Sequence, residues 1–260
     1  MLKERAPAMS ELELIKFWRR LVIVPGYCHL RAGATDYNDP RSWFLNKYQM
    51  ADPLNEISYV TEMIHGALLE LMMDRQTVVC FSGGYTSEEA GIGSSEAQSY
   101  LEVAKMMRKQ EPELFEELDL SRIILDTSSY DSNNNLRGGI TAFYEKFGHV
   151  PEKITFYVYA LKKKRMELVA EALGISEDRF EVKVVRGPIF SAADQEREDN
   201  ILKDMQGDLL LEGSDSNHAQ LSRQRNWSNA SINLMSVNEI RRLYTKHADS
   251  HPFFVPKVSN

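Results

Sequence analysis

The apolar residues of this chain follow two rhythms. Residues 21–24 (LVIV), 78–81 (VVCF), 122–125 (RIIL), 154–159 (ITFYVY) and 182–185 (VKVV) are short runs that predict strands. In 78–81 the apolar residues follow one another without alternation, which suits a strand covered on both faces, as in a parallel sheet between helices. Between the runs the spacing becomes helical. Ile57, Val60, Ile64, Ala67, Leu68 and Leu71 predict a helix over 54–73. Ile140, Phe143, Tyr144 and Phe147 form a second face, stopped by Gly148 and Pro151, and Met166, Val169, Ala170 and Leu173 a third over 162–173, ending at Gly174. Ser94 or Ser95 caps a further helix, because Ser95-Glu96-Ala97-Gln98 has capping-box spacing.

Strands alternating with helices at these lengths imply βαβ units and a parallel sheet, the α/β class. Ligands of such sheets bind beyond the carboxyl ends of the strands, here the loops after Val24, Phe81, Leu125 and Tyr159. Residues 27–53 are polar and aromatic without a sustained period, a long connection of the kind that is often functional, with Trp43, Phe44 and Tyr48 as its anchors. Past Arg186 the pattern weakens. Residues 194–205 are charged and helix-like, 207–231 are rich in Ser, Asn, Gly and Arg, and Ser236-Val237-Asn238-Glu239 opens a last helix to about Lys246. The division expected is a sheet domain over 1–189 and a C-terminal extension, 190–260, packed on it.

Composition narrows the class. At 260 residues and 43% hydrophobic content the chain can bury a full core, and its net charge of -7 argues against a nucleic-acid backbone as main partner. No run approaches the roughly 18 apolar residues of a membrane span. The charged start MLKERAPAMSELELIKFW is unlike a secretory leader, so a cytoplasmic protein without a membrane partner is expected. Cys28 and Cys80 lack metal-ligand spacing and read as reduced thiols; the six histidines are scattered and read as structural or exposed. No Walker loop, no dinucleotide fingerprint at residues 91–96 and no Gly-x-Ser-x-Gly elbow is present, and the Asn226 and Asn229 sequons read as chance.

The candidate chemistry gathers after the strands. Ser82-Gly83-Gly84 with Thr86 is either a plain turn or a nest for an anion, since glycines bring backbone N–H groups close to a ligand. Glu96, in the first turn of its helix, either complements the dipole or serves as a general base. Asp126, Ser129, Asp131, Ser132 and Asn135 form a polar cluster straight after a strand, with a loop expected over 127–135; they turn the chain and cap a helix, or the carboxylates hold a magnesium-type ion or divide acid and base roles, and their spacing matches no cation loop. Lys162-Lys163-Lys164-Arg165 places cations in a first helical turn, where the dipole disfavours them. Either they form a solvated face, or an anion between Lys162 and Arg165 offsets the cost.

In order along the chain, Pro25-Gly26, Ser82-Gly83-Gly84, Ser95-Glu96-Ala97, the Ser129–Asn135 run SYDSNNN, and Lys162 with Arg165 resemble the SanA/YdcF-like family of unknown function, over residues 20–175. The run 43–49, Gln98-Ser99-Tyr100 and the basic Arg223-Gln224-Arg225-Asn226 look like its soluble eukaryotic branch. Three positions depart from the family. Leu161 and Met166 replace aromatics of that branch, and Lys162 stands where bacterial members carry histidine, which removes an imidazole proton carrier. The resemblance implies a Rossmann-like three-layer αβα fold with these residues at one cleft. The expected occupant is a small anionic or nucleotide-type molecule held by Gly83, Gly84, Lys162 and Arg165, with Glu96 or Asp131 as base or acceptor. S-adenosylmethionine or another nucleotide enters by fold analogy alone. The rival expectation is a noncatalytic regulatory or interaction module that keeps the fold.

Overall fold

A computed structural model describes residues 17–47, 49–86, 93–186, 190–207 and 234–246. In chain order its elements are β1 Arg20–Pro25, β2 His29–Leu30, β3 Trp43–Phe44, α1 Pro53–Met73, β4 Thr77–Ser82, α2 Glu96–Gln110, α3 Pro112–Phe115, β5 Ile123–Asp126, α4 Ser132–Phe147, β6 Lys153–Tyr159, α5 Lys163–Ala172, β7 Phe180–Val185, α6 Ala192–Gly207 and α7 Val237–Lys246. Tyr48, the Arg223–Asn226 segment, the two sequons and residues 91–92 of the rejected fingerprint lie outside the described residues.

Five strands make one sheet in the order β5-β4-β1-β6-β7, every neighbouring pair parallel. The chain builds outward from β1 through β4 to β5, then returns to the other side of β1 for β6 and β7. This is the strand order of a Rossmann-like sheet, and its direction reverses between β1 and β6. Successive strand residues face opposite layers. Val22, Val24, Val79, Phe81 and Tyr157 pack with α1 and α2, while Leu21, Ile23, Val78, Cys80 and Phe156 pack with α4 and α5. Both faces are therefore covered, and the lack of alternation in VVCF has its physical reason. The architecture is the expected three-layer αβα.

The second layer includes C-terminal residues. Ile201 and Met205 of α6 and Val237, Ile240 and Tyr244 of α7 belong to the same buried cluster as Leu21 and Ile23. Arg241 Nε–H donates to the Ala172 carbonyl at 3.1 Å, and the Ser236–Glu239 capping box fixes the start of α7.

Three local features differ from the sequence expectation. The polar loop after β5 ends at Asp131, because α4 begins at Ser132 with a turn, SNNN, that has no apolar residue to announce it. Within residues 27–53, the two-residue strands β2 and β3 pair antiparallel across the connection 31–42, anchored by Trp43, whose indole N–H donates to the Tyr37 carbonyl at 2.8 Å. The acidic stretch after α2 contains the single turn α3, started by Pro112. Both cysteines are free and buried, and burial raises both thiols.

Helix α4 lies unusually close to the sheet at Gly139, where an added Cβ would stand 2.6 Å from Ile23 Cδ1. Helix propensity alone favours alanine there by about 1 kcal/mol. Overpacking opposes it, so Gly139→Ala is expected to lower the unfolding free energy by about 1–3 kcal/mol. Urea denaturation checks this, and a midpoint at or above that of the unmutated protein would mean that α4 does not approach β1 so closely.

Candidate functional site

The carboxyl ends of β1, β4, β5 and β6 bring Pro25-Gly26, Ser82-Gly83-Gly84, Asp126 and the turn Ala160–Lys162 to one edge of the sheet. Between the first two loops sits the buried carboxylate of Glu96. An added Cβ would stand 2.1 Å from Glu96 Oε2 at Gly26 and 2.6 Å from it at Gly83, so both positions exclude a side chain. That is the space argument for these glycines.

The expected backbone nest is not formed. Gly26 N–H donates to the Ser82 carbonyl at 2.5 Å, Gly83 N–H to the Asp126 carbonyl at 2.9 Å and Gly84 N–H to the Ser129 carbonyl at 2.6 Å. The start of α2 is equally satisfied: Glu96 N–H and Ala97 N–H donate to the Gly84 and Gly83 carbonyls, and Gln98 N–H to Ser95 Oγ. Ser95 is buried and completes a capping box, which gives it a structural task. Every N–H that a ligand was expected to take is already engaged, because the loops tie the strand ends to one another.

Asp126 is the hub of the wall. Its Oδ2 accepts from Ser82 Oγ–H at 2.6 Å and Ser129 Oγ–H at 2.5 Å, and its Oδ1 accepts from Ser128 N–H at 2.9 Å. Ser82 Oγ is also 3.1 Å from the Asn135 carbonyl and 3.2 Å from Asn135 Oδ1. Ser82, Ser129 and Asn135 are all buried, so they brace the cleft from within rather than face solvent. Burial pushes the Asp126 carboxyl up, and the three donors only partly oppose it. Gly138 admits this carboxylate, as an added Cβ would collide with Asp126 Oδ2.

Asp131 is the N-cap of α4, its Oδ1 accepting from Asn134 N–H at 2.9 Å and its Oδ2 from Asn134 Nδ2–H at 2.9 Å. This caps a helix, the plainer of its two expected roles. Arg165 is a correction. It is buried and makes a two-pronged pair with Glu198 of α6, Nε–H to Oε1 at 2.8 Å and Nη2–H to Oε2. The offset for the cationic start of α5 therefore comes from the protein: Glu198 for Arg165, and Glu167 for Lys163 and Lys164 at 3.8 and 3.9 Å. The α-helix begins at Lys163, one residue later than expected, which leaves Lys162 at the cap.

Lys162 has different surroundings. Its Nζ donates to Ser132 Oγ at 3.2 Å and sits 4.9 Å from the centre of the Tyr159 ring, and among the described residues no carboxylate lies within 4.0 Å of it. Burial, reinforced by the Arg165 guanidinium, lowers its ammonium to about 8 against an upward pull from Glu198 and Glu96. Glu96 and Lys162 thus feel each other across the cleft. Tyr159 continues into an aromatic wall with Tyr59 at 5.2 Å, Tyr27 at 6.2 Å and Phe190 at 4.9 Å. Tyr27 O–H donates to Glu56 Oε2 at 2.5 Å, and burial raises the Glu56 carboxyl.

Sequence reasoning passed over His29, which reaches Thr86 Oγ1 at 3.0 Å, with Thr86 O–H in turn donating to Glu96 Oε1 at 2.9 Å. It also passed over Glu198 and the Tyr27–Glu56 pair. No spacing relates these residues. Among the described residues no group of three His, Cys, Asp or Glu could hold a metal ion, and no helix is long and apolar enough to cross a membrane. A small cleft of about 110 Å³ at the opposite edge, lined by Arg20, Lys153, Glu177 and Asp178 among others, mixes both charges and lies far from these groups. Comparison with protein-family models, curated proteins and solved structures finds no match to this chain.

Two expected outcomes follow from the buried charges. Glu198→Ala leaves a buried guanidinium unpaired and is expected to cost about 3–5 kcal/mol, whereas Arg165→Met with Glu198→Leu together restores most of it; chemical denaturation of the two variants beside the unmutated protein decides. Asp126 has a raised folded value, so the folded state holds its proton more tightly than the unfolded chain. Its contribution is present below the ordinary carboxylate value and is lost as pH rises through the folded value. Asp126→Asn, neutral at every pH, is expected to flatten that part of a stability-against-pH curve, and a curve of unchanged slope would contradict the assignment.

Proposed function

We propose that this chain is a SanA/YdcF-like protein that binds a small anionic, nucleotide-type molecule at the crevice between the carboxyl ends of β1 and β6. The observation that carries this reading is Lys162, a cation with no carboxylate within 4.0 Å among the described residues, at the place where the strand order reverses. Ligands of open α/β sheets bind there. Lys162 takes the anionic group with Ser132 beside it, Thr86 stands exposed at the rim, and the Tyr27–Tyr159 wall offers a face for a planar ring. Glu96, opposite the lysine, is the acid–base group or hydrogen-bond acceptor, which makes carboxylate-assisted catalysis on the bound molecule the enzymatic form of the proposal. S-adenosylmethionine and other nucleotides are the ligands to try first, by analogy of fold, and a cytoplasmic location goes with this reading.

A second reading has its own observation. The N–H groups of Gly83, Gly84 and the start of α2 are all engaged inside the protein, which favours a noncatalytic module that keeps the fold without an anion nest.

The two readings separate in one experiment. Thermal-shift titration with S-adenosylmethionine, adenosine triphosphate and inorganic phosphate is expected to stabilise the protein by about 2.7 kcal/mol at a hundredfold excess over Kd. Lys162→Ala is expected to abolish the shift. Because the Lys162 ammonium titrates at about 8, anion binding weakens as pH rises through that value. The unliganded protein moves the other way, since the unfolded chain holds the lysine proton up to about 10.4 and stability rises with pH across that window. No stabilisation by any of the three compounds, or an equal shift in Lys162→Ala, would leave the noncatalytic reading standing.

A further inference from the structure

Lys162 stands at the N-cap of α5 and is half-buried, so a small molecule can reach it. Its surroundings disfavour the charged form of the amine. Burial strips water from the ammonium, and the Arg165 guanidinium lies three residues on along the same helix. Arg197 of α6 adds to the repulsion, while Glu198 of α6 and Glu96 of α2 act against it from a distance. The positive end of the α5 dipole also faces the cap residue. The hydrogen bond that Nζ makes goes to a neutral group, Ser132 Oγ at 3.2 Å, and the centre of the Tyr159 ring is 4.9 Å away. Other lysines are placed differently. Lys183 has Glu70 at 2.9 Å, Lys105 has Glu102 at 2.6 Å, and Lys163 and Lys164 share Glu167. A lysine desolvated beside another cation is the setting in which an amine becomes nucleophilic near neutral pH.

We infer that Lys162 is a nucleophilic amine that condenses reversibly with a planar, ring-bearing aldehyde bound against the tyrosine wall of the crevice. The Nζ lone pair attacks the carbonyl carbon and a C–N bond forms. The carbonyl oxygen takes up the two hydrogens that nitrogen gives up and leaves as water, so a C=N bond remains and neither oxidant nor reductant is needed. The ring requirement follows from position. An imine carbon bonded to Nζ lies beside the Tyr159 ring, and Tyr59, Tyr27 and Phe190 extend that surface. A ring conjugated to the carbonyl therefore meets an aromatic face. This goes beyond anion binding by the same residue: the ammonium holds an anion and the neutral amine reacts, so the two uses belong to opposite charge states and neither depends on the other.

The test treats the full chain with a limiting amount of salicylaldehyde and cyanoborohydride, which reduces an imine to a stable amine, and locates the adducts by mass spectrometry of chymotryptic peptides. At about pH 7.5 Lys162 is expected to be labelled about tenfold faster than the exposed Lys163 and Lys164 of the same helix, because far more of it is neutral than of an amine at the ordinary value of about 10.4. Its rate is expected to level off above about 8, while theirs keep rising. Propanal, which has no ring, is expected to show a smaller preference for Lys162. Lys162→Arg keeps the charge, and the fast adduct is expected to disappear. Equal rates at the three lysines, a rate at Lys162 that climbs with pH as steeply as theirs, an equal preference with propanal, or a fast adduct that survives in Lys162→Arg overturns the inference. All but the last are read on the unmutated protein, so the test stands even if the variant fails to fold. Failure of the nucleotide reading is seen separately, as a missing thermal shift with the labelling of Lys162 intact.

Discussion

A buried carboxylate must find donors, and the carboxyl edge of this sheet is built around four of them. Asp126 takes two serine hydroxyls and a backbone N–H, Glu96 the Thr86 hydroxyl, Glu56 the Tyr27 phenol and Glu198 the Arg165 guanidinium. Left without these partners each would cost several kcal/mol or take up a proton. The Ser82–Asp126, Tyr27–Glu56 and Arg165–Glu198 pairings join residues distant in sequence, so meeting the requirement also fastens the strand ends together. Asp126 holds the loops after β4 and β5 to the first turn of α4, and Glu198 ties α6 to the start of α5. The glycines follow from the same demand. Gly26, Gly83 and Gly138 are small because a carboxylate occupies the volume their side chains would need.

This constraint also decides what is left for chemistry. Once the loops have satisfied one another, backbone amides no longer point outward, and Arg165 is held by its own counter-ion. Lys162 is different because its neighbours are a hydroxyl and an aromatic ring. The ring offers the ammonium an attraction of about 0.5–2 kcal/mol, less than a charged partner in the same partly buried place, and the ammonium is correspondingly easier to deprotonate.

The legible part of the sequence was whatever obeys a period. The strands and the helices behind β4 and β6 follow from runs such as VVCF and from the spacing of Ile57, Val60 and Ile64, because burial on a regular element repeats along the chain. Ser95 and Ser236 were readable as caps because a capping box is local. The start of α4 was not, since Ser132-Asn133-Asn134-Asn135 has the composition of a turn and becomes helical only when Asp131 caps it and the Asn134 and Asn135 carbonyls accept from Ser129 after β5 and from Ser82 of β4. The site divides in the same way. Which loops meet follows from the class of sheet, but whether Gly83 offers its N–H or uses it depends on the Asp126 carbonyl across the ladder, and no spacing in the sequence records that pairing. Glu198 is more extreme: it stands in a charged helix where any of several acids looks equivalent, and only the fold selects the one that meets Arg165.

On the proposed reading, these facts also set how recognition is divided. A single ammonium is a point charge without the forked geometry that fixes a phosphate in two directions. With the loop amides engaged, orientation of a ligand has to come from the aromatic side of the crevice. Tyr27, Tyr59, Tyr159 and Phe190 form a continuous ring cluster there, braced at one end by the Tyr27–Glu56 hydrogen bond. An anion alone then binds weakly and without preferred pose, whereas a molecule carrying an anion and a planar ring engages Lys162 and the tyrosines together. Glu96 borders the same space, its Oε1 accepting from Thr86. The ligand's fit is thus governed by the distance between its charge and its ring, a property of the crevice between β1 and β6 rather than of any one loop.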